Sequence, residues 1–532
     1  MKSKRIMALA LILLIALQCV FYVSASKDKQ YLHTDEVYSL GLAQYHNKNI
    51  QGNHDFYGNW HHGDYYRDYL VVDKDEINNT EPVYKNQVEN GNAPMYYFFL
   101  RFYMEFSVGE FSMMTGIVLN VMMYALTTLM MYFISKRLFT SQKYGNWLAL
   151  GATAVASLTM STVSSVLFID LYSMLTLMLY VKQNEMGSPN LWIGILMVLV
   201  IGCGFLTHYS FLVFIGAIYI LFTVRYILKK QYKDIIWNTI PPVLGIGAGM
   251  YIFPESIDHI KLLISENKIF GKIFSRDIFT VLSEYVKQIN EDTFHYTLYG
   301  IVAILAICLI VLLVKYIKAN NSGNEADADS EEPEKKSDRS SVYTILIPTL
   351  AYLVACAAKY SVADIKYIYP VCGIIFVLIA ALTVKVAKAA FGTMPAIAVF
   401  AVVMAVIVAM PIFSGLQPRN LYSDHTEILE YAEENKKVPV LYAFDSSDDR
   451  LIDDLYWLTK FESSYITRDW DINSSNMSNV FARKDVSRGV IVIINAEQDD
   501  NYILNTIKST LGLKEFNFVM DFEGASVYYI SN

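Results

Sequence analysis

Two adjacent carboxylates, Asp35 and Glu36, stand in Leu32-His33-Thr34-Asp35-Glu36-Val37-Tyr38, a few residues after the first long apolar run. A carboxylate within hydrogen-bond reach of a hydroxyl can act as a general base. Neighbours on a helix point about 100° apart, so one acid would be the base and the other an orienting or substrate-binding group. The pair also fits a solvated loop, or a helix N-terminus where the backbone dipole favours acids. Asp170 lies inside the apolar stretch Ser164 to Leu179, where an acid is costly unless it faces a bundle interior or a wet cavity. His208 follows Thr207 at a helix junction and suits either a phosphate or a local hydrogen bond. Lys366 and Tyr367, in Asp364-Ile365-Lys366-Tyr367-Ile368-Tyr369-Pro370, start a late apolar run. The lysine there either holds a lipid phosphate or snorkels to the headgroups.

Between the first two apolar runs lies a loop dense in aromatic and histidine residues: His54, Tyr57, Trp60, His61, His62, Asp64, Tyr65, Tyr66, Arg67, Asp68 and Tyr69. Such rings stack on sugar faces or anchor a loop at headgroup level. His61-His62 with Asp64 lacks a standard metal-ligand spacing, so no metal and no other cofactor is assigned. The five cysteines, Cys19, Cys203, Cys308, Cys356 and Cys372, all fall inside apolar runs with no paired spacing, which fits small apolar helix residues. No basic patch suggests nucleic acid.

The elements that must position these groups are mostly membrane helices. Charged residues are 18% of the 532, against roughly a quarter in soluble proteins. They cluster between long apolar runs, the pattern of a polytopic, mainly α membrane bundle. The runs predict about 11 spans, near residues 6–25, 111–135, 145–161, 164–181, 191–207, 209–226, 236–253, 297–317, 341–359, 366–386 and 394–414. Residues 1–26 have a signal-peptide look, but the length of the run and the spans after it favour a retained first helix. Met95 to Phe106 is aromatic but short, and reads as an interfacial helix.

Lys and Arg fall in alternate connections, from Lys2, Lys4 and Arg5 to Lys385 and Lys388. By the positive-inside rule the N-terminus is then cytoplasmic. Asp35, Glu36, Asp170, His208 and Lys366 share the outer side, as does everything after 415. The expected organisation is a transmembrane domain over 1–415, with a large first outer loop at 26–110 and a disordered acidic cytoplasmic linker at 319–340. An extracytoplasmic α/β accessory domain follows at 416–532. In it, strands are expected at Val438–Phe444 and Gly489–Ile494, helices at Asp448–Phe461 and Asn501–Leu511, and a hairpin about Glu523-Gly524.

Taken in order, Thr34-Asp35-Glu36-Val37-Tyr38, Ala93-Pro94-Met95-Tyr96-Tyr97, Leu206-Thr207-His208-Tyr209 and Lys366-Tyr367-Ile368-Tyr369-Pro370 resemble the motifs of the C-type (GT-C) membrane glycosyltransferases. The resemblance is to bacterial relatives of the protein O-mannosyltransferase and lipid A aminoarabinose transferase superfamily, over residues 1–415. It implies transfer of a sugar from a polyprenyl-phosphate-linked donor to an extracytoplasmic glycan, lipid or protein acceptor of the cell envelope. Asp35 would be the catalytic base with Glu36 its neighbour. Tyr96, Tyr97, Asp170, His208, Lys366 and Tyr367 would bind substrate. The chain departs from the family at Asn90, often an acid, at Asp170, where an Arg often precedes the Tyr of the fourth span, and at Lys366, commonly Arg. Lys offers a point charge rather than a planar fork. A catalytically silent relative, or a transporter or sensor of the same shape, is the alternative.

Overall fold

The computed structural model describes all residues except 1, 27–28, 31, 46–49, 51–54, 140–143, 157–165, 187, 268–277, 293–295, 322–335, 360–366, 415–424, 446–449, 483, 496–498 and 523–524. Contacts divide the chain into two units. One comprises Met1–Ala25, Gly91–Tyr96 and Asn120–Arg419; the other Ser26–Asn90, Tyr97–Leu119 and Asn420–Asn532.

A helix occupies each of the eleven apolar runs, as expected of a polytopic helical bundle. Seven, among the described residues, are long and apolar enough to cross a membrane. Leu191–Thr207, Val342–Ala358 and Thr393–Ile407 are shorter apolar helices, and Gly145–Ala156 has twelve residues. These helices are apolar on nearly every face, as lipid-solvated segments are; Leu9, Leu13, Leu17 and Phe21 of the first one all point outward. Small residues set the close contacts between neighbours. A Cβ at Gly245 would stand 2.8 Å from the carbonyl oxygen of Val198, and one at Gly202 would stand 3.1 Å from that of Gly245. The helices Leu191–Thr207 and Tyr232–Ile252 therefore meet backbone to backbone.

The second unit is built on a six-stranded mixed sheet ordered β1-β3-β2-β4-β6-β5. Its strands are β1 (Trp60–His61), β2 (Val440–Phe444), β3 (Ser464–Arg468), β4 (Val490–Asn495), β5 (Glu515–Phe522) and β6 (Ala525–Ser531). β2 lies parallel to both β3 and β4 and is buried along its whole length. That is why Val-Leu-Tyr-Ala-Phe reads as an unbroken apolar run. Leu441, Ala443, Val490, Val492 and Ile494 share one core with Met477, Phe481, Ile503, Leu504 and Ile507 of the helices Ser474–Phe481 and Asp500–Leu511. The expected strands and the β5–β6 pairing are present; Glu523-Gly524 lies outside the described residues. The single helix expected over Asp448–Phe461 is instead two short ones, Arg450–Asp453 and Leu455–Leu458. They part at Asp454, whose buried carboxylate accepts from the Tyr442 hydroxyl and the Trp457 indole (2.9 Å).

The aromatic loop completes this sheet. Trp60 and His61 pair antiparallel with Tyr465 and Ser464, the Trp60 indole donates to the Val480 carbonyl (2.8 Å), and the Tyr66 hydroxyl meets Ser464 Oγ at 2.6 Å. Gly63 is required where the chain crosses the carbonyls of Thr459 and Phe461, which a Cβ would strike. Tyr57, Trp60 and Tyr66 pack on the sheet in this way, while His54 lies outside the described residues. The two histidines are engaged as well. His61 stacks on Tyr65 (centroids 3.9 Å apart) and its Nε2 donates to the Asp55 carbonyl at 2.8 Å. His62 caps the helix Gly63–Leu70, and its Nδ1 lies 3.2 Å from Asp64 Oδ2.

Burial holds His61 below the ordinary histidine pKa, partly offset by its hydrogen bonds to backbone carbonyls. As pH falls below about 6.5 the unfolded chain therefore takes up a proton that the folded one does not, and stability is lost toward the folded pKa. Thermal midpoints of the wild type should drop between pH 7 and pH 5.5 by more than those of His61→Gln. Parallel pH profiles for the two proteins would contradict this.

Candidate functional site

The acid pair opens the helix Thr34–Gln44, and the two carboxylates have different surroundings. His33 is the N-cap, extended at φ −67° and ψ 149°, with its side chain accepting from the Asp35 amide. Glu36, three residues on, accepts from the His33 amide at 3.0 Å. The two interactions form a reciprocal capping box that satisfies otherwise orphaned donors. Glu36 is also ion-paired with Lys29, and their side chains are only 8% and 2% exposed. Asp35 is 38% exposed, with Oδ2 3.9 Å from His33 Nδ1.

The helix itself is fixed on its far side. A Cβ at Gly41 would strike the Tyr69 ring, so that ring lies directly on the helix backbone. Gln44 donates to the carbonyls of Asp68 (2.8 Å) and Tyr69 (2.7 Å). Asn86 and Gln87 donate to the Leu42 carbonyl at 3.2 and 3.1 Å. The buried Tyr69 hydroxyl, held well above the usual tyrosine pKa by desolvation, lies within electrostatic reach of Tyr38, Tyr45 and Tyr97. Tyr97 is thereby in the neighbourhood of this helix, whose Tyr38 follows Asp35 by three residues and so shares its face.

A second constellation lies at helix ends in the bundle. The helix Leu191–Thr207 stops at His208, extended at φ −166° and ψ 134°, and Phe211–Leu228 begins three residues later. The Ser210 amide donates to His208 Nδ1 (3.1 Å), so Nδ1 is the acceptor and the ring proton sits on Nε2. Ser210 Oγ lies 2.7 Å from the same nitrogen and 3.3 Å from the Tyr352 hydroxyl. Tyr352 donates to the Tyr367 carbonyl at 3.0 Å, and the Tyr367 ring lies 5.7 Å from that of His208. Beside this, the Tyr209 hydroxyl meets His259 Nδ1 at 3.0 Å.

Asp170 sits in the first turns of Val166–Met186 and is 1% exposed, with neither carboxylate oxygen hydrogen-bonded among the described residues. It is within electrostatic reach of Cys372, which is likewise in reach of Cys356. Cys356 Sγ lies 3.6 Å from the Tyr367 carbonyl. Tyr96 is 2% exposed and packs edge-on against Phe168, two residues before Asp170 (centroids 5.5 Å apart).

The bundle thus carries Tyr96 beside Phe168 near Asp170, and separately His208 beside Tyr367. Asp35, Glu36 and Tyr97 belong to the sheet-bearing unit, and Lys366 lies outside the described residues. Sequence reasoning missed Lys29, Ser210 and Tyr352. Ser210 had a signal, a hydroxyl two residues after a histidine at a helix break. Lys29 and Tyr352 had none.

No family model matches the chain, and neither does any curated protein. Among solved structures it is similar to the crystal structure of ArnT from Cupriavidus metallidurans bound to undecaprenyl phosphate. The alignment covers 97% of each chain at 11% identity, with a TM-score of 0.49.

The contrast between the acids is testable by stability. Lys29→Met leaves Glu36 buried without its cation and should cost about 3–5 kcal/mol, as broken buried pairs do. Asp35→Asn, at a half-exposed site, should change stability by less than about 0.5 kcal/mol. Denaturant or thermal titration of the detergent-solubilised protein separates the two. Equal losses would refute the division of roles.

Proposed function

We propose that this chain is a membrane glycosyltransferase of the GT-C type. It moves a sugar from a polyprenyl-phosphate donor to an acceptor on the extracytoplasmic side, with Asp35 as general base. The observation that carries this reading is the unequal exposure of the acid pair. Glu36 is committed to Lys29 and the helix cap, while the neighbouring carboxylate in the Thr34-Asp35-Glu36 motif stays half-exposed on a rigidly seated helix. The polar cluster of His208, Ser210, Tyr352 and Tyr367 at helix ends in the bundle adds support.

The chemistry runs as a direct displacement. The acceptor oxygen bonds to the anomeric carbon as the bond from that carbon to the phosphate oxygen breaks, inverting the configuration. The hydroxyl proton passes to Asp35. The electron pair leaves with the lipid phosphate, a good leaving group that needs cations rather than a strong acid. Lys366 supplies charge there and His208 an Nε2–H donor. Asp170, Tyr96, Tyr97 and Tyr367 contact the donor. The N-terminus is cytoplasmic and the C-terminal domain extracytoplasmic in this reading. No metal or other cofactor is assigned.

The buried Asp170 carboxylate, without a hydrogen bond among the described residues, favours the second reading, a silent relative or a transporter or sensor of the same shape, because intramembrane acids often mark ion or substrate paths.

In membranes supplied with purified polyprenyl-phosphate sugar, Asp35→Asn should lower transfer by about 10²–10⁴-fold, the usual worth of a general base. Its expression and thermal midpoint should match the wild type. Wild-type rates in this variant would overturn the assignment, and lipid-linked sugar crossing the membrane with no glycosidic product would favour the transporter.

A further inference from the structure

The two helices on one side of the sheet, Ser474–Phe481 and Asp500–Leu511, flank an open groove of about 440 Å³. It is lined by Ser474, Asp499, Asn501, Tyr502, Asn505, Thr506 and Ser509. Soluble helices normally turn Lys, Glu and Arg to water. Here the outward positions are hydroxyls and amides, namely Ser475, Ser478 and Asn479 on one helix and Asn501, Asn505 and Ser509 on the other. The few charges nearby are engaged. Asp499 caps its helix by accepting from the Asn501 amide at 3.1 Å, Asp500 accepts from the Tyr528 hydroxyl at 2.8 Å, and Lys508 lies over the Phe516 ring at 5.2 Å.

Several lining groups are also held in place. Thr506 Oγ1 donates to the Tyr502 carbonyl (2.8 Å), Ser509 Oγ donates to the Thr506 carbonyl (3.1 Å), and Asn501 Nδ2 donates to Asp499 Oδ1 (3.3 Å). In the midst of them Tyr502 is 52% exposed. A large ring left in water among oriented amides and hydroxyls is the chemistry that recognises a sugar: the ring covers the C–H face while the polar groups exchange hydrogen bonds with ring hydroxyls. With no cation in its lining the groove does not suit a phosphate or an anionic polymer. Its one aromatic ring is that of Tyr502, too little apolar surface for a lipid tail or an amphipathic helix. Its open form suits a chain passing along it.

We propose that this groove binds a neutral glycan chain, and that this chain is the acceptor class of the transferase. The second half of the statement rests on the function proposed above; the binding itself does not.

The test uses the full-length protein in nanodiscs, without donor, titrated with neutral hexasaccharides (cellohexaose, maltohexaose, mannohexaose) and with hexagalacturonate as an acidic control. At least one neutral hexasaccharide should bind, and the acidic one should bind more weakly. Tyr502→Ala should weaken binding about tenfold, the equivalent of one stacked ring. Tyr502→Phe should retain it, and thermal midpoints of both variants should match the wild type. The Asp35→Asn protein should bind as the wild type does. In the transfer assay Tyr502→Ala should raise the acceptor KM and leave kcat unchanged. Binding of no neutral hexasaccharide, stronger binding of the acidic one, or unaltered binding by Tyr502→Ala would overturn the glycan site. Intact glycan binding together with undiminished transfer by Asp35→Asn would instead overturn the catalytic assignment and leave the groove standing.

Discussion

Inside a hydrocarbon layer a backbone amide has no partner except its own helix. That constraint shapes the larger unit of this protein, and it also decides where chemistry can collect. Along an uninterrupted helix the backbone is self-satisfied and side chains need only be apolar. Where a helix stops, carbonyls and amides become available and polar side chains gather to meet them. The break at His208 is such a place: Ser210 satisfies the imidazole, Tyr352 links it to the Tyr367 carbonyl, and Cys356 approaches the same oxygen. Asp170 stands apart, fully buried and without a hydrogen bond among the described residues. An acid in that condition is costly, which makes it a position where a bound group is expected rather than a packing residue.

The other unit obeys ordinary aqueous rules. Its sheet alternates side chains between two helical layers, and its central parallel strand is apolar on both faces. What is unusual is that the sheet is not made from one end of the chain. The loop after the first apolar helix supplies β1, inserts Tyr66 against Ser464 and wedges Gly63 under two carbonyls. The helix bearing Asp35 belongs to the same unit, seated by Tyr69, Gln44, Asn86 and Gln87 and closed at its start by His33, Glu36 and Lys29. A half-exposed acid on so constrained a backbone has little further freedom to lose, which is what the proposed role as general base would require.

Much of this was legible in the sequence, because its strongest signals are one-dimensional. Each of the eleven apolar runs carries a helix, because apolar runs are read directly from sequence, although among the described residues only seven are long and apolar enough to cross a membrane; the apolar strands and the hairpin of the C-terminal segment follow from periodicity. The helix expected over Asp448–Phe461 failed because its pattern of Leu residues carried no hint that Asp454 would turn inward to Tyr442 and Trp457. The loop aromatics were recognised as unusual, but their role lies in a strand pairing across some 400 residues, and no local pattern encodes such a contact.

The same divide runs through the site. The sequence by itself determined that Asp35 and Glu36 sit together after the first helix, that Asp170 is an acid in apolar surroundings, and that His208 and Tyr367 flank helix breaks. Only the tertiary structure decided which acid is buried against a cation. Lys29, seven positions before Glu36, pairs with it in the buried interior, and this leaves the two neighbouring carboxylates with different surroundings. Composition and spacing count charges, but the pairing of buried charges depends on where the chain returns in space.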